Sequence, residues 1–116
     1  MCGINGIISK GKNKDKLIKS MNEKILHRGP DAEGIFVDGD VALGQRRLSI
    51  IDLAGGNQPI YNEDKSILIM YNGEVYNYKE LKEELTEYKF ETESDTEVVL
   101  HGYEKWGHDL PKKLRG

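Results

Sequence analysis

Cys2 is the only cysteine in the 116-residue chain and the residue with the strongest potential for covalent chemistry. A small second side chain permits removal of the initiator methionine, which would give Cys2 both a thiol and a free α-amino group. A thiolate is a strong nucleophile and an amine can serve as its general base, so one residue would hold both functions. A cysteine at position 2 can also be accidental, so this interpretation needs support from other residues.

Four further stretches combine charged or polar groups with turns and strand ends. Each also has a purely structural interpretation: residues 29–31 can be a turn, residues 72–73 a strand end, and Asp95 a charge favoured at a helix start. With an N-terminal cysteine, however, their residue types suit the hydrolysis of a free amino acid amide. The stretches are HRGPD at residues 27–31, RRLSIID at 46–52, NGE at 72–74 and SDTE at 94–97.

An amino acid amide presents three groups that such a site must bind. Arginine suits the α-carboxylate, because its planar fork meets a carboxylate in two places. Aspartate suits the α-ammonium group. The oxyanion that forms when a thiolate attacks the amide needs two donors, and an asparagine NH₂ with an adjacent glycine N–H can supply them. The sequence contains all of these types, although it does not by itself make them converge.

The order of these motifs resembles that of one protein family. The chain is similar to the class II glutamine amidotransferases of N-terminal-nucleophile hydrolase fold, and among them to the N-terminal glutaminase domain of glutamine-hydrolysing asparagine synthetases. The resemblance runs over essentially the whole chain. It rests on MCGI at residues 1–4, HRGPD at 27–31, RLSIID at 47–52, QP at 58–59, NGEVYN at 72–77 and SDTE at 94–97.

The resemblance implies a role for each matching residue. Cys2 would be the nucleophile that forms a glutamyl thioester, with its own α-amino group as general base. The Asn72 side chain and the Gly73 N–H would form the oxyanion hole, and residues 27–31 would have a positional role. No metal is implied. The glutamine site would comprise Arg47 for the α-carboxylate, Asp95 as charged partner of the α-ammonium, and Leu48, Ser49, Ile50, Ile51, Asn72, Gly73 and Glu74.

The resemblance also implies a fold and a larger protein. The fold class would be α+β, an αββα sandwich of mainly antiparallel sheets, and residues 1–116 would be a single partial glutamine amidotransferase domain, incomplete at the C-terminus. The missing strands would leave a sheet edge and an apolar face uncovered. No cofactor is expected in this domain. ATP and Mg²⁺ are expected only in a separate synthetase domain, absent here, which uses the ammonia to convert aspartate to asparagine.

Composition restricts the other functional classes. With 37% hydrophobic and 32% charged residues the chain is typical of a soluble globular domain, and a net charge of −3 gives no general footprint for nucleic acid. The longest aliphatic run, residues 67–70, is too short to span a bilayer, and lysines from position 10 onward argue against a signal peptide. We therefore expect a cytoplasmic protein that binds L-glutamine, without nucleic acid or membrane partners. A dimer, or pairing with a synthetase domain or a complementing chain, stays open.

Sequence periodicity predicts the elements of the N-terminal half. A strand is expected at residues 2–9, and Asp15 is expected to cap a helix that ends near His27, before the helix-breaking pair at residues 29–30. A hairpin is expected from residues 34–37 and 41–44, and a further strand at residues 48–51. The predicted apolar positions of the helix are Leu17, Ile18, Met21, Ile25 and Leu26.

In the C-terminal half, residues 66–71 have the pattern of the most strongly buried strand. Asn77 is expected to cap a helix that carries Leu81 and Leu85. A second helix is expected from a capping box at residues 94–97 to Gly107, with a last short turn at residues 111–114 that begins at Pro111. Its apolar side would consist of Val98, Leu100 and Tyr103.

Two alternatives to ammonia supply for asparagine synthesis stay open. One is a class II amidotransferase with another acceptor, such as an amino sugar or a polysaccharide. The other is a non-catalytic binding or assembly module, suggested by the missing C-terminal part of the fold. The first would be decided by the domain that follows in the gene, and the second by whether the chain releases glutamate from glutamine.

Overall fold

The computed structural model describes residues 2–49 and 55–116, which fall into two compact units. Of these residues, the first unit contains 2–49, 57–59 and 70–72, and the second contains 55–56, 60–69 and 73–116. Both units mix helices with antiparallel strands, so the α+β class and the antiparallel pairing are confirmed. Within the described residues, no helix is both long enough and apolar enough to cross a membrane.

The first unit is a three-stranded antiparallel sheet with one helix packed on it. Its elements are β1 (Gly3–Ile8), α1 (Lys14–Lys24), β2 (Ala32–Asp38) and β3 (Val41–Arg47), and the sheet order is β1-β3-β2. The hairpin between β2 and β3 turns at Gly39, whose φ of +52° lies in the left-handed region that glycine adopts without strain. The predicted first strand is therefore confirmed, one residue shorter at each end than expected, and the hairpin is confirmed with longer strands than expected.

Helix α1 packs on the sheet through both apolar and amide groups. Ile18 on the helix and Ala42 on β3 are fully buried, and so is the polar side chain of Asn22. The Asn22 Nδ2 donates to Gly34 O at 3.2 Å and to a Glu33 carboxylate oxygen at 3.0 Å, while its Oδ1 accepts from Asn5 Nδ2 at 2.8 Å. Asn22 thus joins the helix to β1 and β2.

The predicted details of α1 are partly wrong. The residue before the helix is Asn13 in the left-handed region, and Asp15 lies inside the first turn instead of capping it. Leu17 and Leu26 are exposed at 53% and 48%, because the face that meets the sheet carries Ile18 and Asn22. The predicted end is close to correct: α1 ends at Lys24 and a 3₁₀ turn follows at Leu26–Arg28, directly before Gly29.

The second unit is mainly helical. It contains the short strands β4 (Ile60–Tyr61) and β5 (Leu68–Ile69), which pair antiparallel, and the helices α2 (Tyr78–Glu83) and α3 (Asp95–Trp106). A 3₁₀ helix, Gly107–Lys112, follows α3. Its core is formed by buried side chains from both helices and the segments around them: Ile60, Val75, Leu81, Leu85, Val98, Leu100 and Leu110.

The helices of this unit were better predicted than its strand. Helix α3 begins after Ser94, which accepts a hydrogen bond from Thr96 N, and ends at Gly107, whose φ of +55° closes it. Asn77 does precede α2, although its side chain makes no capping bond there. Tyr103, expected on the apolar side of α3, is exposed, and Pro111 lies inside the 3₁₀ helix instead of starting a turn.

Two strand predictions are wrong. Residues 66–71 give only the two-residue β5, and Leu68 and Ile69 are half-buried, because β5 pairs only with the equally short β4 within the described residues. The strand expected at residues 48–51 does not form at Leu48 and Ser49, since β3 ends at Arg47. Ile50 and Ile51 lie outside the described residues.

Candidate functional site

Cys2 lies at the entrance to β1, beside the end of β3. The register that pairs Gly3 with Arg46 brings the residue before β1 next to the residue after β3. As a result, the Cys2 Sγ accepts a hydrogen bond from Leu48 N at 3.3 Å and lies 3.5 Å from Leu48 O. The half-buried thiol is therefore positioned by main-chain atoms, whose location is fixed by strand pairing.

The loop at residues 27–31 packs against this same place. Arg28 Nε donates to the carbonyl oxygen of Cys2 at 3.1 Å, and Arg46 Nε donates to Gly29 O at 3.0 Å. A Cβ atom at Gly29 would collide with the backbone of Arg46 and Arg47, so only glycine permits this approach. These contacts are of the kind that a positional role requires, and the role itself stays a prediction.

Asp31 fixes the chain that leaves β3. Its N–H donates to Arg47 O at 3.0 Å, and its Oδ2 accepts from Ser49 N at 2.8 Å. A single residue thus holds the backbone on both sides of Leu48, the residue that contacts the Cys2 sulfur. The HRGPD motif therefore does more than form a turn.

Arg47 is the last residue of β3 and is only 5% exposed. Its Nη1 donates to Asn57 Oδ1 at 3.0 Å, which makes Asn57 a partner that sequence inspection did not identify. An open cleft of about 440 Å³ is lined by His27, Arg28, Pro30 and Leu48, and two of these residues, Arg28 and Leu48, contact Cys2. A volume of this order accommodates a small molecule.

Residue 71, directly before Asn72, is held by two glutamine side chains. Gln45 Nε2 donates to Tyr71 O at 3.0 Å, and Gln58 Oε1 accepts from Tyr71 N. Both glutamines are buried, so their amides replace a neighbouring strand for this segment. Gln58 belongs to a recognised motif, but only the folded chain reveals its contact with residue 71.

In the second unit, Asp95 is the first residue of α3 and is 6% exposed. Its Oδ2 accepts from Val75 N at 2.8 Å, which ties the helix start to the stretch at residues 73–75. Burial and the nearby Asp95 carboxylate raise the pKa of Glu74 above its ordinary value. Two neighbouring carboxylates of this kind favour a bound cation.

Asn77 supports the same stretch from its other end. Its Nδ2 donates to Lys113 O and its Oδ1 accepts from Arg115 N, both at 2.9 Å, while Tyr76 N donates to Arg115 O at 2.7 Å. One side-chain amide therefore joins residues 74–77 to residues 113–116 as a neighbouring strand would. The sequence predicted a helix cap at Asn77 and gave no signal for this second use.

The predicted site residues are divided between the units. The first unit holds Cys2 and Leu48 in contact, with Arg47 and Ser49 both bonded through their backbone to Asp31, and it also contains Asn72. The second unit contains Gly73, Glu74 and Asp95. Ile50 and Ile51 lie outside the described residues. In residues 2–49 and 55–116, no group of His, Cys, Asp and Glu side chains has the arrangement of a metal site.

Comparison with known sequences gives a consistent family. The sequence model of one family, the glutamine amidotransferase domain, matches residues 1–116. Asparagine synthetase [glutamine-hydrolyzing] 1 of Bacillus subtilis is 48% identical over 123 residues, covering 100% of this chain and 20% of the relative. Its Arabidopsis thaliana counterpart is 41% identical over 119 residues, with the same coverage.

A second Bacillus subtilis protein, asparagine synthetase [glutamine-hydrolyzing] 2, is 47% identical over 112 residues, which is 92% of this chain and 15% of the relative. The chain therefore spans about a fifth or less of the length of the curated relatives that it matches. The similarity covers the whole of this chain but only one part of those proteins.

Proposed function

The chain belongs to the glutamine amidotransferase domain family, and on that premise we propose that it hydrolyses L-glutamine to supply ammonia for the ATP-dependent conversion of aspartate to asparagine. The relatives' names support the second half of this proposal, because those proteins are called glutamine-hydrolysing asparagine synthetases. The aspartate chemistry, with its ATP and Mg²⁺, would belong to a separate synthetase domain.

In the proposed mechanism, removal of Met1 frees the α-amino group of Cys2. That amine takes the thiol proton, and the sulfur attacks the side-chain carboxamide carbon of glutamine. When the tetrahedral intermediate collapses, the C–N bond breaks, the nitrogen takes the proton and ammonia leaves a glutamyl thioester. Water then attacks the thioester, releasing glutamate and restoring the thiol.

The remaining site residues bind either the α-carboxylate and α-ammonium groups of glutamine or the oxyanion, and Gly73 serves at both the ammonium and the oxyanion. Arg47 binds the α-carboxylate of glutamine, with backbone groups of Leu48, Ser49, Ile50 and Ile51 lining the same pocket. Asp95, with Gly73 and Glu74, surrounds the α-ammonium group. The Asn72 side chain and the Gly73 N–H donate to the oxyanion, whose stabilisation is commonly the largest single contribution to such a reaction.

The observation that most strongly supports the proposal is the setting of Cys2. The thiol lies at a strand end in contact with Leu48, a residue that also lines an open cleft, and the flanking Arg47 and Ser49 are fixed by Asp31. A structural cysteine needs none of these features, since free cysteines are usually buried as small apolar groups. The proposed fold is the αββα sandwich of N-terminal-nucleophile hydrolases.

A chimera provides the test of function. Residues 1–116 would replace the matching segment of the Bacillus subtilis relative that is 48% identical. Release of glutamate from glutamine is expected, and Cys2→Ala should abolish it, while asparagine synthesis from added ammonia survives. A Cys2→Ala chimera that still hydrolyses glutamine would rule out the mechanism.

Two further outcomes separate the alternative functions, and one measurement tests the proposed base. A chimera that folds and uses ammonia but never hydrolyses glutamine would favour the non-catalytic module. Glutamine hydrolysis without asparagine formation would favour a different acceptor. Intact-mass measurement of the purified chain should show the loss of one methionine, because a retained Met1 would convert the proposed base into an amide.

A further inference from the structure

A buried ionisable network runs along α3, away from the proposed substrate contacts. His101 is 1% exposed and lies between two carboxylates of its own helix. Its Nδ1 is 2.7 Å from Glu104 Oε2, and its Nε2 is 3.4 Å from Glu97 Oε1. The proposed mechanism uses none of these three side chains, so their burial needs another explanation.

Aromatic rings enclose the imidazole on its open sides. The Tyr88 ring stacks on it at a centroid distance of 5.0 Å, and the Phe90 ring meets it edge-on at 4.9 Å. Burial and the neighbouring Glu104 carboxylate raise the pKa of Tyr88 above its ordinary value. The ring of His101 therefore has a fixed plane, and both nitrogens point at acceptors.

Glu97 carries the network to the segment that precedes α3. Its Oε1 accepts from Glu91 N at 2.9 Å, and its Oε2 accepts from Thr92 N at 2.7 Å and from Thr92 Oγ1 at 2.6 Å. The Thr92 hydroxyl in turn accepts from Ser94 N at 3.2 Å. The expected capping box is thus altered: Glu97 reaches back past Ser94 and holds residues 91–92.

Glu104 carries the network to the β4–β5 turn. Its Oε1 accepts from Asn62 Nδ2 at 2.7 Å, and Asn62 also donates to Ser66 Oγ and accepts from Ile67 N. Glu97 and Glu104 are seven residues apart, about 10 Å along a helix at 1.5 Å per residue. The imidazole of His101 bridges this distance and lies within hydrogen-bond reach of both carboxylates.

We propose that His101 is a positioning residue for the α-ammonium site, acting through Glu97 on the segment that delivers Asp95. This inference rests on the proposed role of Asp95. Two hydrogen bonds separate Glu97 from Ser94, the residue before Asp95, so the orientation of the Glu97 carboxylate sets the course of the chain into α3.

Amide hydrogen exchange on the 116-residue chain tests the inference without requiring activity. His101→Gln replaces the two ring nitrogens by one NH₂ nitrogen and one carbonyl oxygen, so a donor can face one carboxylate while the other would meet an acceptor. We expect exchange at Glu91, Thr92 and Val75 to become roughly tenfold faster or more, as local opening becomes easier, while the amides of β1 and β3 are unchanged. His108→Gln, which alters an exposed histidine beyond the same helix, is the matched control and should change none of them.

Kinetics in the chimera described above provide the second measurement. If His101 orients Asp95, His101→Gln should raise KM for glutamine roughly five- to tenfold while kcat stays within about twofold, since ground-state binding is what is lost. The rate at which iodoacetamide alkylates Cys2 should not change. A residue that served stability alone would lower the active fraction, and with it apparent kcat, at constant KM.

The outcomes are decisive in both directions. Unchanged exchange at Val75 and Thr92 in His101→Gln, or a uniform acceleration over the whole chain, would overturn the inference. If His101→Gln does not fold, Glu97→Gln is the second variant: it keeps the His101–Glu104 pair, replaces the acceptor for Thr92, and should give the same local pattern. Failure of the proposed function would appear separately, as glutaminase activity that survives Cys2→Ala.

Discussion

The two units differ in the polar side chains that they bury: apart from Arg47, those of the first unit are amides, whereas the second unit also buries carboxylates and an imidazole. In the first unit, Asn22 and Gln45 are neutral amides that hydrogen-bond to main-chain groups across a sheet. In the second unit, Asp95, Glu97 and His101 are ionisable and hydrogen-bond to loop backbone or to one another. The first unit has a three-stranded ladder to position its residues, whereas the described part of the second unit has two strands of two residues each.

The difference indicates how each unit holds its candidate site residues. Strand register places Cys2 beside Leu48 in the first unit, and a register error would displace every side chain. In the second unit, a carboxylate that accepts several N–H bonds replaces the missing strand partners. Charged hydrogen bonds are stronger than neutral ones, but removing one partner of a buried charge is costly. The four predictions below test this contrast.

The largest effect is expected where two backbones touch. Gly29→Ala would place a methyl group against the backbone of Arg46 and Arg47, which cannot move without breaking the β2–β3 register. We expect a loss of more than about 3 kcal/mol in the free energy of unfolding, measured by urea titration. Gly11→Ala is at an exposed turn, where a methyl group would lie 3.3 Å from the Ser9 hydroxyl, a short exposed side chain that can shift; it should stay within about 0.5 kcal/mol.

The next effect concerns the amide that joins α1 to the sheet. Asn22→Ala should cost about 3 kcal/mol, because it leaves Asn5 and the Gly34 carbonyl group without a partner that they have in the folded chain. Glu23→Ala on the neighbouring exposed position is the control. Equal stability of the two variants would contradict the role given to buried amides in the first unit.

A smaller loss is expected for the amide of Asn77 in the second unit. Asn77→Ala removes the donor to Lys113 O and the acceptor for Arg115 N, and should cost about 1–2 kcal/mol. Hydrogen exchange of the Tyr76 amide, which donates to Arg115 O, should also become faster in Asn77→Ala. Asn77→Asp keeps the acceptor, so its free energy of unfolding should lie between those of the parent and of Asn77→Ala. A loss as large as that of Asn77→Ala would mean that the donor alone matters.

The smallest effect is a gain. The pKa of Glu74 is raised by burial and by Asp95, so the folded chain binds that proton more tightly than the unfolded chain does, and ionised Glu74 destabilises the fold. Glu74→Gln should therefore add about 0.5 kcal/mol near pH 7, kept small by solvent screening. The gain should shrink as the pH falls through the raised pKa and vanish below the ordinary value of 4.5.

The same substitution should weaken glutamine binding, since it removes one of two carboxylates proposed to surround the α-ammonium group. Thermal unfolding at pH 7 and pH 4, together with KM for glutamine in the chimera, would measure both effects. A variant that is less stable at pH 7 than the parent would contradict the repulsion between Glu74 and Asp95.

Several elements were predictable because their signals are local. The alternation in β1, the glycine turn of the β2–β3 hairpin, and the start and end of α3 at Ser94 and Gly107 depend on residues within a few positions. The strand predicted at residues 66–71 was wrong because strand formation there depends on a distant partner. Their apolar run is suited to a buried strand, but a strand requires a long partner, and β4 offers two residues.

For the candidate site too, local sequence was informative and contacts between remote residues were not predictable. The identities of the candidate site residues came from motifs in the sequence, and the structure places Cys2 against Leu48 and Glu74 near Asp95. The residues that hold them in place could not be predicted, because the side chains of Asn57, Gln45 and Asn77 hydrogen-bond to residues ten or more positions away. The cluster on α3 is an exception, because its sequence spacing is informative: Glu97, His101 and Glu104 recur at the spacing of one helix face.

By itself, the sequence determined which reactive and binding groups are available: one cysteine thiol at position 2, an arginine directly before an aliphatic run, an Asn-Gly pair, and a carboxylate at a helix start. Tertiary structure alone decided that Asp31 holds both neighbours of Leu48, that Gln45 and Gln58 replace a strand beside residue 71, and that His101 is buried between two carboxylates. The physical reason is distance along the chain. Residue type and local spacing are encoded within one turn or strand, whereas hydrogen bonds between remote segments form only when burial brings those segments together.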